Sequence, residues 1–209
     1  TFKKKKDLRV LLALSGGSDS ILLLYLLLRY FKGNNRAINI AHINHNLRND
    51  SFKDEAFVTK VGLELGINTY IRQLNPKLKS NDESIESWAR KERYKLLSEI
   101  LIESNSNVIL TGHHKNDQVE TILKNISEKT GLFGLGGMKS INKNLIRPLL
   151  PFSKLELMRI IDKYKIPYVD DSSNEELRFK RNFIRKKVLG PWVLNDNKVV
   201  DSIAESAAY

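Results

Sequence analysis

The sequence predicts an α/β protein with a doubly wound, mainly parallel sheet and a short helical extension at its C-terminal end. Apolar runs short enough to be buried strands alternate with longer segments of helical periodicity. Polar clusters follow three of these runs, at the point where each strand ends and where open α/β sheets bind ligands. The chain of 209 residues can form one sizeable domain of this kind with a short appendage.

The first half of the chain alternates strands and helices. A mostly apolar run over residues 8–14 predicts a buried strand, and the apolar segment 21–30 beyond a glycine turn predicts a helix. The same alternation continues to about residue 120. It predicts strands over 36–43, 67–74 and 108–111, and helices over 52–65, 83–104 and from about 116.

Beyond about residue 130 the chain no longer alternates strands with helices, and loops and helices are predicted instead. Four glycines within residues 131–138 predict a flexible loop, and Pro151 closes the core domain. Ser153 is a predicted N-cap for a helix over 153–165. The remaining segments are a turn-rich loop over 168–174, a basic helix over 175–189 and a short helix beyond Trp192.

Charge and composition narrow the class of partner. Lys and Arg number 35 against 24 Asp and Glu, and the net charge of +11 favours a polyanion such as nucleic acid or an anionic membrane surface. The chain has no cysteine, which excludes disulfides, thiolate metal sites and cysteine nucleophiles. No apolar run reaches the roughly 18 residues of a membrane span, and no signal-peptide core follows the N-terminal lysines. We therefore expect a cytoplasmic protein, or one in an organelle of bacterial descent, without a membrane partner.

The turn over residues 15–20, SGGSDS, is the first polar cluster. A strand, a glycine turn and a helix start direct backbone N–H groups at one point, which favours phosphate binding. The turn matches neither GxxxxGK[ST] nor GxGxxG. Asp19 would repel a bound phosphate unless a divalent cation lay between them. A plain strand-to-helix turn with a serine N-cap is the structural alternative.

The second cluster follows the predicted strand 36–43. His45 and Arg48 can donate hydrogen bonds to a phosphate or a base. His42 and His45 are three residues apart, but a pair without a third ligand is a weak zinc signal. The alternative for His42 is packing against a neighbouring helix.

The third cluster, TGHHKNDQVET, follows the strand 108–111. Asp117 and Glu120 are three residues apart and share one helix face. At the same sheet edge as Asp19 they could bind the magnesium that neutralises a nucleotide. An isolated DxxE is otherwise ordinary helix surface.

Two further segments carry cations. Glu86, Arg90 and Arg93 lie on the predicted helix 83–104, where a solvated, salt-bridged face is the alternative to a binding role. Residues 178–187 hold six basic side chains, which would contact backbone phosphates. Phe179 and Phe183, four residues apart in this segment, are expected to be core contacts rather than base-stacking platforms.

Taken together, the motifs resemble the tRNA(Ile)-lysidine synthetase family, a member of the PP-loop group of N-type ATP pyrophosphatases. The resemblance rests on ALSGGSDS, AHINHNLR, ESWARKERY, TGHHKNDQVET, GLGGM, RPLL, VDDSSN and RNFIR, in the order of that family. One position departs from it, since Asn116 stands where the family commonly has the first of two adjacent aspartates. Metal binding in that segment is then expected to depend mainly on Asp117.

The resemblance implies a PP-loop ATPase fold and an ATP-dependent ligase that attaches L-lysine to C2 of the wobble cytidine of an isoleucine tRNA with a CAU anticodon. The base would first be adenylated with release of pyrophosphate, and the lysine amine would then expel AMP. ATP and Mg²⁺ are the implied cofactors. A non-catalytic basic RNA-binding module and another PP-loop tRNA-modifying enzyme, such as a thiolase, remain the alternatives.

The resemblance also implies a domain division and an assignment of site residues. Residues 1–151 would form the PP-loop catalytic domain, and residues 152–209 a helical, basic part that completes it and contacts tRNA. The chain would be a minimal or truncated form of the family, and a homodimer is one option for its oligomeric state. The expected catalytic residues are Asp19, His45 and Asp117, and the expected metal ligands are Asp19, Asp117 and Glu120. Expected ATP contacts are Ala13, Ser15, Gly16, Gly17, Ser18, Asp19, Ser20, His42 and Gly112. Expected tRNA or lysine contacts are His45, Arg48, Glu86, Arg90, Arg93, His113, His114, Asp171, Asn174, Arg181, Asn182 and Arg185.

Overall fold

A computed structural model describes residues 8–47, 50–169 and 179–207. Its strands form one six-stranded sheet in the order β3-β2-β1-β4-β6-β5. The β1–β2, β1–β4, β2–β3 and β4–β6 pairs are parallel, which confirms the predicted fold class. The strands are β1 (Val10–Ala13), β2 (Ile38–Asn44), β3 (Asn68–Gln73), β4 (Val108–Thr111), β5 (Ile141–Asn142) and β6 (Leu145–Ile146).

The helices lie close to the predicted positions through the first two thirds of the chain. Ser84 and Ser153 are N-caps whose side chains accept hydrogen bonds from the backbone of Ser87 and Glu156. A short 3₁₀ helix, Asn35–Ala37, precedes β2. The α-helices are α1 (Ser18–Tyr30), α2 (Ser51–Leu65), α3 (Ile85–Glu103), α4 (Lys115–Ser127), α5 (Gly131–Leu135), α6 (Lys154–Tyr164), α7 (Lys180–Phe183), α8 (Gly190–Asn195) and α9 (Val199–Ser206).

The contacts within the chain define two compact units. The first comprises residues 1–112, 143–146 and 166–170, and the second comprises residues 113–142, 147–165 and 171–209. The first unit has its core around β1, β2 and β4, where Leu11, Leu97 and Ile100 are each at most 1% exposed. Strands covered on both faces are expected to be continuously apolar, which is how β1 and β4 read.

The second unit has its own small core. Val119 of α4 packs with Leu189, Val199 and Val200, all of them buried. The C-terminal helix α9, which the sequence predicted only as a short helix, therefore contributes two residues to this core. The functional division at residue 151 is a separate matter and stays a prediction.

The structure differs from the predictions at three places. Residues 131–135 form a short helix where a flexible loop was expected. The strands β5 and β6 were not predicted, since two-residue strands carry almost no periodic signal. The basic helix is described from α7 onward, and between α7 and α8 it is a π-helix over Ile184–Leu189.

Within the part of the chain that the structure describes, no helix combines the length and the apolar character needed to cross a bilayer.

Candidate functional site

The segment 15–20 belongs to the first unit and leads from the end of β1 into the first turn of α1. Gly16 has a φ of +96°, a conformation that favours glycine. The Ser20 hydroxyl donates to the Gly17 carbonyl (2.9 Å) and accepts from the Ser15 backbone N–H (3.2 Å). The Ser15 hydroxyl in turn accepts from the Gly17 backbone N–H (3.3 Å). The serines therefore fix the turn, and Ser18 and Asp19 begin the first turn of α1.

The end of β4 approaches this turn closely. A Cβ atom on Gly112 would lie 3.0 Å from the carbonyl carbon of Asp19 and from the nitrogen of Ser20. Glycine at position 112 therefore allows the backbone after β4 to pass against the start of α1. Ala13 is the last residue of β1 and pairs with Ala41 of β2 and Thr111 of β4, so these three parallel strands end at the same edge of the sheet.

His42 and the loop after β2 are held by buried polar contacts. The Nδ1 atom of His42 lies 2.9 Å from the carbonyl oxygen of Leu14, so it is Nδ1 that carries the proton of that hydrogen bond. His42 is 4% exposed, which agrees with packing inside the first unit. Asn44 donates to Glu55 (3.0 Å) and accepts from the Asn46 backbone N–H (2.9 Å).

These two asparagines were not singled out from the sequence. Asn46 has a φ of +51° and donates to the Leu74 carbonyl (3.0 Å). Asparagine tolerates this conformation better than most residues, and Asn44 and Asn46 together shape the turn in which the half-buried His45 lies. The two asparagines that flank His45 were the sequence signal that could have predicted this turn.

The predicted cations of helix α3 gather around one aromatic ring. The guanidinium carbons of Arg90 and Arg93 lie 5.3 Å and 4.9 Å from the centre of the Tyr94 ring. Glu86 lies in the first turn of α3, on the same helix of the first unit. Both arginines thus have a structural contact, and a ligand role for Glu86, Arg90 and Arg93 stays a prediction.

In the second unit, two carboxylates of α4 meet two arginines of the basic helix. Arg181 donates from Nη2 to Asp117 Oδ1 (2.7 Å) and from Nε to Glu120 Oε2 (2.7 Å). Arg185 donates from Nε to Glu120 Oε1 (2.6 Å) and from Nη2 to Glu120 Oε2 (3.0 Å). We call Asp117, Glu120, Arg181 and Arg185 the carboxylate–arginine cluster.

Burial and the charged neighbours shift the pKa values of two members of this cluster, Asp117 and Arg185. The Glu120 side chain is 1% exposed and that of Asp117 is 12% exposed. Burial alone would raise the pKa of Asp117, but Arg181 in the first place, with His114 and His113, lowers this pKa to about 2. Burial lowers the pKa of Arg185, but the hydrogen bond to Glu120 and the negative charges of Glu120 and Asp117 together outweigh burial, so that the net pKa is raised. The carboxyl group of Asp117 and the guanidinium of Arg185 are therefore ionised at neutral pH.

The oxygens of Asp117 and Glu120 are occupied by N–H donors. Oδ2 of Asp117 accepts from the backbone N–H of His114 (2.9 Å), and the other three oxygens accept from the arginines. Magnesium needs oxygen ligands that are not already bonded to cations, so in this arrangement the pair does not fit Mg²⁺. The described residues contain no group of three or more His, Asp or Glu that could hold a metal ion. Asp19 lies outside the cluster, and its metal role stays a prediction.

Two neighbours of Asp117 have structural contacts of their own. Asn116 accepts from the backbone N–H of Lys154 (2.8 Å) at the start of α6, a bond that an aspartate would also make. Gln118 accepts from the Met138 backbone N–H (2.6 Å) and donates to the Gly136 carbonyl (3.3 Å). The glycine segment is thus hydrogen-bonded to α4, a contact for which no sequence pattern is a signal.

The basic helix exposes one of the two phenylalanines that were expected in the core. Phe183 is 48% exposed, so the expectation for Phe183 was wrong, while Phe179 is half-buried. The apolar positions that do face inward are Ile184 and Leu189. Asn182, a predicted tRNA or lysine contact, is half-buried.

The remaining predicted site residues divide between the two units and the undescribed segments. His113 is half-buried and His114 is buried at the N-cap of α4. Arg48, Asp171 and Asn174 lie outside the described residues.

Comparison with known proteins gives a consistent set of relatives. A family model described as PP-loop domain matches residues 1–191. The chain is 41% identical over 186 residues to a tRNA(Ile)-lysidine synthase of Thermosipho africanus, an alignment that covers 87% of this chain and 43% of the relative. A tRNA(Ile)-lysidine synthase of Chlorobaculum tepidum is 38% identical over 183 residues, covering 86% and 55%. The chain thus spans about half the length of these curated relatives.

Solved structures support the fold. The U34-tRNA thiolase NcsA from Methanococcus maripaludis, with its [4Fe-4S] cluster, superposes with a TM-score of 0.76 at 20% identity and covers 96% of this chain and 71% of its own. An NH3-dependent NAD synthetase from Campylobacter jejuni gives a TM-score of 0.56 at 17% identity, covering 98% and 84%. At these identities the likeness concerns the fold alone. The family match, over residues that include both the turn 15–20 and the carboxylate–arginine cluster, leads to one conclusion: this chain belongs to the PP-loop domain family.

Proposed function

We propose that this chain catalyses the ATP-dependent attachment of L-lysine to C2 of the wobble cytidine in an isoleucine tRNA with a CAU anticodon. The observation that carries the proposal is the 41% identity to a relative named tRNA(Ile)-lysidine synthase, over 87% of this chain. The net charge of +11 is in keeping with a tRNA substrate. The proposed place of action is therefore where tRNA is modified, in the cytoplasm or in an organelle of bacterial descent.

The proposed reaction has two steps, adenylation of the base and displacement of AMP by lysine. The C2 carbonyl oxygen attacks the α-phosphorus of ATP, an O–P bond forms, and the bond to pyrophosphate breaks. The lysine amine then attacks C2, the C2–O bond breaks, AMP leaves, and the amine loses a proton. A carbonyl oxygen is a poor leaving group until it carries AMP, so ATP is needed as the activator.

The turn 15–20 would bind the phosphates of ATP. Its support is geometric: Gly16 and Gly17 bring the backbone to the start of a 13-residue helix, whose N–H groups and dipole favour an anion. Gly112 leaves the start of α1 unobstructed by a side chain at the end of β4. Mg²⁺, which would enter with ATP and contact Asp19, would neutralise charge on the departing pyrophosphate.

Asp117 would act through its charge rather than by proton transfer. With a pKa of about 2 it is a weak base at neutral pH. Its contacts with Arg181 and His114 hold it in one position, so a positioning or electrostatic role is the one we propose. His45, on the loop after β2, and Asp19, at the start of α1, remain proposed catalytic residues.

A thiolase reaction of the kind named for the structural relative is the less favourable proposal. Iron–sulfur clusters are held by cysteine thiolates in nearly all proteins. These 209 residues contain no cysteine, so they cannot supply that ligand set. A ligase with a free amine as nucleophile needs no protein thiol.

The test is incubation of the protein with ATP, Mg²⁺, labelled lysine and an unmodified isoleucine tRNA carrying CAU. Transfer of label to the tRNA, with one AMP released per lysine, is the expected result. The matched substrate control is the same tRNA with its wobble cytidine replaced by uridine, which should take up no label. AMP release without label in the tRNA would indicate a different nucleophile and reject the lysine assignment.

A further inference from the structure

The helix from Lys180 to Asn195 separates its side chains onto two sides. Arg181 and Arg185 contact the buried carboxylates of α4, and Ile184 and Leu189 are 6% and 3% exposed. On the solvent side lie Phe183, Lys187, Val188 and Trp192, which we call the outer face. Phe183 is 48%, Val188 38% and Trp192 46% exposed, and Lys187 is exposed as well.

The π-helix produces this separation. In a π-helix the backbone hydrogen bonds join residues that are five apart, whereas in an α-helix they join residues that are four apart. Across Ile184–Leu189 the exposed pair Phe183 and Val188 and the buried pair Ile184 and Leu189 are both five residues apart. The backbone N–H of Gly190 bonds to the Arg185 carbonyl in the same five-residue pattern. Two aromatic rings are thus brought to one surface with a lysine between them in sequence.

Charge distinguishes this surface from an ordinary exposed helix. Residues 179–195 include five Lys or Arg and no Asp or Glu. The acidic partners of Arg181 and Arg185 lie on the buried side, and Lys180 pairs with Glu128 at 3.1 Å. The outer face therefore combines exposed aromatic rings with positive charge and carries no carboxylate of its own.

We propose that the outer face binds unpaired nucleotides of the tRNA, with bases stacked on Phe183 and Trp192 and a phosphate bound by Lys187. Proteins that bind single-stranded nucleic acid combine aromatic platforms with a cationic groove in this way. The inference rests on the proposed function, which supplies the RNA partner. It also moves the RNA contact of this segment from the two arginines, which are already paired, to the opposite side of the helix.

A second copy of this chain is a poorer occupant. A two-fold contact through four residues would place Lys187 near its own copy, and like charges at an interface oppose association. The positive charge of the exposed Lys187, on a helix without Asp or Glu, instead matches a polyanion.

The test measures binding of an anticodon stem-loop of the isoleucine tRNA, with a fully paired RNA hairpin of equal length as the comparison. Phe183→Ala and Trp192→Ala should each weaken stem-loop binding ~10-fold without changing its salt dependence, because stacking involves no counterion release. Lys187→Gln should lower the slope of log K against log salt by about 0.7 to 0.9. Binding of the paired hairpin should change little in the two aromatic variants.

Leu194→Ala is the matched control. Leu194 is 89% exposed on the same helix, but its position two residues beyond Trp192 places it on a different side. It should bind the stem-loop as tightly as the unaltered protein. Equal weakening by Leu194→Ala, or unchanged binding in both aromatic variants, would overturn the inference.

Fluorescence gives an independent readout. Trp88 is 6% exposed, so added RNA should quench chiefly Trp192, and Trp192→Phe should abolish most of the quenching. If the aromatic variants retain RNA affinity but change the sedimentation coefficient or the binding to anionic vesicles, the face serves a second copy or a membrane and the inference fails. Lysine transfer by the unaltered protein, measured on the same preparation, reports on the proposed function alone. If the unaltered protein transfers lysine but the aromatic variants bind the stem-loop as tightly as it does, only the role of the outer face is rejected.

Discussion

Glu120 and Asp117 show how single residues determine the chemistry of the second unit. Their four carboxylate oxygens accept N–H groups from Arg181, Arg185 and the backbone of His114. A buried carboxylate is costly unless it is paired and fully hydrogen-bonded, and here it is both. The pairs therefore hold the basic helix on α4 and keep the Asp117 carboxylate ionised.

Removal of one arginine should show how much its pairing with the buried carboxylates stabilises the fold. Arg181→Gln leaves the Asp117 and Glu120 carboxylates buried with fewer donors, and we expect the free energy of unfolding to fall by ~3 kcal/mol. Urea denaturation measures it. The matched control is Arg72→Gln, which breaks the pair with Glu103 (2.6 Å), where the side chains are 38% and 48% exposed. That change should lower the free energy of unfolding by less than about 1 kcal/mol. Equal losses would mean that burial of the cluster does not matter.

The same variant should alter how stability depends on pH. The pKa of Asp117 is lowered to about 2 in the folded chain, against roughly 3.9 when unfolded. Its ionised form therefore stabilises the fold above about pH 4, and this contribution is lost as the pH falls toward 2. The deficit of Arg181→Gln relative to the unaltered protein should be largest above pH 5 and shrink at lower pH. A deficit that is constant from pH 7 to pH 3 would indicate lost packing rather than lost charge.

Asp19 should separate catalysis from tRNA binding. We expect Asp19→Ala to lower the rate of base adenylation by at least about 100-fold, because it removes the proposed contact of the Mg²⁺ that would neutralise the departing pyrophosphate. Binding of tRNA should stay mostly intact. Asp54→Ala is the control, since Asp54 is also an acidic residue in the first turn of a helix in the first unit. Pyrophosphate release and tRNA affinity are measured together, and an equal loss of both would contradict the role of Asp19.

The sequence could indicate part of this site. The spacing of Asp117 and Glu120 placed both on one face of α4, which the structure confirms, because an i, i+3 spacing is a local property. Their partners lie 61 to 65 residues further along the chain, and no local pattern reports such a contact. The arginines were thus interpreted as phosphate contacts because their partners were not visible in the sequence.

At the scale of elements, Gln118 joins α4 to the glycine segment after α5. Gly137 has a φ of +58°, and a Cβ there would lie 2.6 Å from the Gln118 side-chain nitrogen. Gln118 donates to the Gly136 carbonyl and accepts from the Met138 backbone N–H, and these two hydrogen bonds hold the segment against α4. Four glycines were a correct signal for an unusual backbone but not for its contacts.

Gly137→Ala tests this contact. Gly66, the C-cap of α2, has a similar φ of +62° with nothing within 4 Å of a Cβ atom, so Gly66→Ala measures the backbone strain alone. That strain costs roughly 1–2 kcal/mol. Gly137→Ala should cost more, because the Gln118 side chain must also move and lose its hydrogen bonds. Thermal unfolding compares them, and Gln118→Ala combined with Gly137→Ala should cost less than the sum. Full additivity would show that Gln118 does not contact this segment.

For the whole molecule, the positions and the parallel arrangement of the main strands could be anticipated because buried parallel strands and their connecting helices have strong local signals. β1, β2 and β4 were each predicted within a few residues, and their carboxyl ends do lie at one edge. The hairpin β5–β6 and the π-helix were missed for the same physical reason. Both are short and stabilised by contacts that are distant in sequence, so composition and period carry little information about them.

The net charge of +11 gives the last prediction at this scale. Association with tRNA should weaken about 10³-fold or more between about 50 and 200 mM salt, because several phosphate contacts release counterions. Lysine transfer at saturating tRNA should change little, since the bound complex has already lost those ions. Arg181→Gln should leave the salt slope unchanged, because Arg181 is neutralised by Asp117 and Glu120 in the folded chain. Filter binding and single-turnover transfer, measured over the same salt series, check both statements. A flatter slope in Arg181→Gln would mean that this arginine leaves the carboxylates and contacts the RNA.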